Sequence, residues 1–93
     1  MAGYISSTAT QVTGTAANIV ASATRGNVYE LQSTGSAFWW STAGTASVNG
    51  VNCNFVPAYG GIEVRILDDT ANISAIKHTG EADAYVVAAL VTP

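Results

Sequence analysis

Two stretches decide the fold class: Val51-Asn52-Cys53-Asn54-Phe55 and Ile62-Glu63-Val64-Arg65-Ile66. In each, apolar and polar side chains alternate with a period of two. That is the repeat of a β-strand with one face on a core and the other in solvent, not the 3.6-residue repeat of a helix. Working outward, Asn49-Gly50 precedes the first stretch. Asn-Gly tolerates the two positive φ angles of a type I′ turn, so it predicts a tight hairpin between Ser47-Val48 and Val51-Asn52. Further turn signals recur at close spacing: Arg25-Gly26-Asn27, Thr34-Gly35, Ala43-Gly44, Gly60-Gly61, Asp68-Asp69 and Thr79-Gly80. Short strands punctuated this way predict an all-β domain, a small antiparallel β-sandwich or jelly-roll-like barrel.

The expected strands cover residues 10–13, 18–22, 27–33, 36–42, 46–48, 51–56, 62–67, 72–77 and 83–91. Thr34-Gly35 is expected to turn a second hairpin and Thr79-Gly80-Glu81 a third. Residues 84–91 read AYVVAALV, apolar enough for a buried helix. Tyr85, Val86, Val87 and Val91 favour strands and no helix cap precedes them, so a strand buried on both faces is expected. The predicted core is Val51, Cys53, Phe55, Ile62, Val64, Ile66, Tyr85 and Val87.

The 93 residues fit one domain, residues 1–93. Residues 1–24, rich in Thr, Ser and Ala, are read as an N-terminal arm or as the first strands. Charged residues make up only 10% of the chain and hydrophobic residues 48%, which argues against intrinsic disorder. With three cations and a net charge of −3, no nucleic-acid partner is expected. No run approaches about 18 apolar residues, so no membrane span is expected. The single cysteine has no intramolecular partner and the first residues do not read as a signal peptide, so synthesis in a reducing cytoplasm is expected.

Residues that carry chemistry are few. His78, the only histidine, lacks a second His or a Cys-x-x-Cys to complete a ligand set, and is read as an exposed turn residue. Cys53 alternates with Val51 and Phe55 and is read as a small buried hydrophobe. Asp68-Asp69 lacks the spacing of a calcium loop and suits a turn. Asn72-Ile73-Ser74 matches a glycosylation acceptor, with no weight in a cytoplasmic chain. No phosphate loop, dinucleotide fingerprint or nucleophile elbow occurs. The expectation is a protein that is not an enzyme and has no cofactor and no metal.

The aromatics stand out. In a strand, Phe38 and Trp40 share one face and Trp39 takes the other. Trp39 then either lies flat over its own sheet, meets another chain, or forms part of a carbohydrate platform. Phe38 and Trp40 form the larger apolar face, so they are expected to point inward and Trp39 outward.

Three stretches carry a likeness to a known class: residues 35–46 (GSAFWWSTAGTA), residues 56–61 (VPAYGG) and residues 73–86 (ISAIKHTGEADAYV). A strand of aromatics runs into a Gly turn, then a Pro-Ala-Tyr-Gly-Gly corner, an apolar strand and a Gly turn into a last apolar strand. This pattern of turns and strands, over roughly residues 27–91, resembles small tailed-bacteriophage virion proteins that decorate or cement capsids. The resemblance implies a homotrimer on a capsid lattice, with the major capsid protein as partner, the virion as location, and no cofactor. It supplies no functional residue. The interface candidates are Trp39, Tyr59, Tyr4 and Ile5, the last two on the N-terminal arm. The alternative is a small carbohydrate- or receptor-binding module of a phage fibre, with Trp39 and Tyr59 as stacking surfaces.

Overall fold

The computed structural model describes residues 6–92. The strands are β1 (Ser6–Val12), β2 (Ala17–Thr24), β3 (Val28–Ser33), β4 (Phe38–Ser41), β5 (Asn54–Val56), β6 (Gly61–Arg65), β7 (Thr70–Lys77) and β8 (Ala84–Thr92). They form two four-stranded sheets, ordered β1-β8-β3-β6 and β2-β7-β4-β5, and every neighbouring pair is antiparallel. No helix occurs among the described residues.

The pairing has a simple logic. β1 pairs with β8, β2 with β7, β3 with β6 and β4 with β5. The chain is therefore one long antiparallel ribbon folded at residues 42–53 and wrapped around itself. The β3–β8 and β4–β7 pairs close the two sheets. Every connection except β4–β5 crosses from one sheet to the other. This is the connectivity of a jelly roll.

Between the sheets lies one layer of side chains. Leu31, Phe38, Val56, Ile66, Ile73 and Val86 are almost completely excluded from solvent, and Val64 joins them. Trp40 and Ile62 pack on the edge of this layer. Five tight corners share one device. Each has a bond from its fourth N–H to its first carbonyl and a positive φ at its third residue. Those third residues are Gly26, Asn49, Asn52, Tyr59 and Gly80.

Several local expectations fail, each for a physical reason. Asn49-Gly50 does turn, but as part of two successive turns, Ser47–Gly50 and Gly50–Cys53, with Asn49 and Asn52 left-handed. Gly50 is the fourth residue of the first turn, so there is no two-residue hairpin and no strand at 46–48. Thr34-Gly35 and Thr79-Gly80-Glu81 are corners between sheets, because β3 and β4, and β7 and β8, belong to different sheets. The facing of two strands is inverted relative to the predicted core. On β5, Val56 points inward and Phe55 outward; on β8, Val86 and Ala88 point inward and Tyr85 outward. Val51, 89% exposed, lies in the loop, and Cys53 and Val87 are only half-buried. Alternation marks two faces but does not say which one meets the other sheet.

Candidate functional site

Trp39 sits on the outer face of the β2-β7-β4-β5 sheet. Its strand neighbour Phe38 is in the core, so the intervening pleat turns Trp39 away from it. The register places Trp39 between Phe55 on β5 and Ile76 on β7. Its ring centroid lies 5.1 Å from that of Phe55 and 6.2 Å from that of His78. Phe55 and His78 are 5.4 Å apart and nearly edge to face, so the three rings form one cluster. Such pairs contribute about 0.5–1.5 kcal/mol beyond their buried area.

A hydrogen bond orders this cluster. The Trp39 indole Nε1–H donates to His78 Nδ1 at 3.0 Å. An indole nitrogen only donates, so Nδ1 must be the unprotonated acceptor of a neutral imidazole. The His78 backbone N–H donates to Ala37 O at 2.9 Å, tying the end of β7 to the start of β4. His78 is thus a half-buried ring in the cluster, not the exposed turn residue expected from sequence. Trp39 is half-buried as well, flanked by two rings rather than by small residues alone. Phe55 leaves the apolar patch partly open, at 46% exposed.

The loop at 42–53 covers the part of this face around Ser41 and Ser74. Ser41 and Ser74 pair across β4 and β7 and are buried beneath it. The Ala46 N–H donates to Ser74 Oγ at 2.9 Å, and Ser47 N–H donates to Cys53 Sγ at 3.4 Å. Cys53 therefore holds the loop rather than filling the core.

Tyr59 lies elsewhere, at the corner between β5 and β6, and no ring contact joins it to Trp39. It lines a groove of about 460 Å³ together with Tyr85, Glu81 and Asp83. Tyr4 and Ile5 lie outside the described residues. Phe55, His78 and Tyr85 belong to these surfaces although the sequence assigned them to the core or to a bare turn. Phe55 and His78 are placed by the pairing of β4 with β5 and β7, which joins distant parts of the chain, and Tyr85 by the facing of β8 in the other sheet. Among the described residues, no group of three or more His, Cys, Asp or Glu side chains is arranged to hold a metal ion.

No family model, curated protein or solved structure matches the chain. What the geometry defines is a class, an all-β sandwich of jelly-roll connectivity that displays aromatic side chains outside its core.

Proposed function

We propose that this chain is a structural part of a bacteriophage virion, a capsid decoration or cement protein that bridges neighbouring capsomers. It acts by noncovalent binding rather than by catalysis. One observation carries the reading: β1 is an unguarded sheet edge. A free edge presents unpaired N–H and C=O groups, and monomeric proteins blunt it with charges, proline, bulges or brevity. Three of the edges here are blunted. β2 is bulged twice, β5 has three residues, and β6 carries Glu63 and Arg65. β1, Ser6-Ser7-Thr8-Ala9-Thr10-Gln11-Val12, has none of these and runs in unbroken register along β8. Its residues Ser6 to Ala9 are exposed on both faces.

An edge of this kind suits a subunit whose neighbours complete it. The Trp39–Phe55 patch offers a second, apolar contact on the other sheet. Several weak contacts engaged together on a lattice give strong attachment. In this reading the free protein is a homotrimer and its partner is the major capsid protein.

The test is the native mass of the purified protein, alone and after mixing with undecorated shells. A trimer that co-sediments with shells supports the proposal. Thr8→Lys with Ala9→Lys should leave the fold intact and weaken shell binding by about tenfold or more, because the edge is then charged. A well-folded monomer with no affinity for any shell overturns it.

A further inference from the structure

Tyr59 occupies a position that the chain otherwise reserves for Gly or Asn. Among the five corners with a positive φ at the third residue, the others place Gly26, Asn49, Asn52 and Gly80 there. Tyr59 adopts φ 59°, a left-handed conformation unfavourable for a bulky side chain. Its surroundings enforce it. The Tyr59 N–H donates to Gly35 O at 2.8 Å, and Gln32 Nε2 donates to Tyr59 O at 2.7 Å. The strained backbone does not bring the ring into the fold. Tyr59 is 73% exposed and its ring touches no other ring among the described residues. Backbone strain held in place by several bonds, displaying a side chain that the core does not use, is the pattern of a binding position.

The groove beside it is built to the same end. Tyr85, half exposed on β8, lines the same groove. Its floor is ordered: Thr34 N–H and Oγ1 both donate to Tyr85 O at 2.9 Å, and Ser36 Oγ donates to Ala82 O. Glu81 accepts the Ala37 N–H through Oε1 at 2.9 Å, and Asp83 accepts Lys77 Nζ through Oδ1 at 2.7 Å. Each carboxylate keeps its second oxygen as an acceptor. The volume, about 460 Å³, lies within the roughly 300–1,000 Å³ typical of small-molecule sites.

We propose that this groove binds a neutral oligosaccharide, with Tyr59 and Tyr85 as stacking platforms and Glu81 and Asp83 as hydroxyl acceptors. A sugar ring offers a face of C–H groups to an aromatic ring and O–H donors to a carboxylate. Two separate tyrosines suit two successive sugar rings, whereas a caged cation would want its rings converging on one point. Lys77 neutralises Asp83, which lowers the pull on a cation, and the remaining negative charge disfavours acidic sugars. The site is independent of shell attachment, which uses the β1 edge and the Trp39 face.

The experiment is a titration of the full chain, followed by NMR at Tyr59 and Tyr85. The probes are maltotriose, cellotriose and an N-acetylglucosamine trimer, with sialyllactose and choline as comparison ligands. At least one neutral trisaccharide should shift both tyrosines. Tyr85→Ala should weaken that binding by about tenfold or more, as loss of one stacked ring does. Tyr59→Gly should do the same while keeping the melting temperature within a few degrees, because glycine accepts the left-handed backbone. Tyr59→Phe should keep the affinity. The proposal is overturned if no neutral trisaccharide perturbs either tyrosine at about 10 mM, well into the range of weak ligands. It is equally overturned if choline alone binds, or if Tyr59→Gly binds as tightly as the parent. Shell co-sedimentation by Tyr59→Gly reports separately on the virion role.

Discussion

At the residue scale, Phe38 and Trp39 divide the labour of one strand. Phe38 is 1% exposed between the sheets, while Trp39 faces outward into a cluster of rings. Phe38→Ala should cost about 3–5 kcal/mol of stability by urea denaturation, the range for emptying a large core site. Trp39→Ala should cost the fold less than half of that, yet weaken assembly by about 2 kcal/mol or more, measured as shell affinity. His78 supplies the acceptor of the Trp39 indole bond. His78→Phe removes that acceptor, so it should move the Trp39 indole N–H resonance and leave that of Trp40, which has no protein acceptor, nearly in place.

At the scale of elements, the corners hold the ribbon in shape. Gly26 and Gly80 have φ of 91° and 84°, and a Cβ built on either would meet no atom within 4 Å. Substitution there tests the backbone alone. Gly80→Ala should lower stability by about 1–2 kcal/mol through left-handed strain, with no steric contribution. Equilibrium denaturation checks it; a neutral result would mean that the corner relaxes to another turn. The corners at Gly26, Asn49 and Gly80 were legible in the sequence because positive φ selects Gly and Asn so strongly, whereas the turn at Asn52 was read as strand and the left-handed residue of the Pro57–Gly60 corner is a tyrosine. The roles of the corners were not legible. A tight reversal looks the same whether its strands pair, as in a hairpin, or part into two sheets, as they do at Thr34-Gly35 and Thr79-Gly80.

At the scale of the molecule, the fold is a slab 35 × 28 × 16 Å with a single layer of core. A small domain buries a smaller share of its surface than a large one, so assembly should add to its stability. The melting temperature should rise with protein concentration, because binding between native chains pulls the equilibrium toward the folded state. A melting temperature that stays constant over a hundredfold dilution would count against assembly. Raising the salt should change shell binding by less than about threefold, since few charges are there to screen.

The alternation at 62–66 and the Gly and Asn punctuation were enough to specify an all-β sandwich, whereas the alternation at 51–55 misled, because residues 51–53 lie in the loop before β5. Both signals are local: a pleat repeats every two residues, and left-handed corners demand particular side chains. The direction of Phe38 and Trp40 was equally legible, because two large apolar side chains on one face outweigh one on the other. Three features required the assembled fold. The inward face of β5 and β8 depended on which sheet lay opposite, so Val56 and Val86 displaced Phe55 and Tyr85 from the core. The Trp39–Phe55–His78 cluster depended on pairing β4 with β5 and β7, which no local signal specifies. The left-handed Tyr59 contradicts local propensity and is held by bonds to Gly35 and Gln32, contributed by distant segments. Periodicity and turn chemistry act over a few residues, whereas facing, pairing and strain are properties of surfaces that exist only once the ribbon has wrapped.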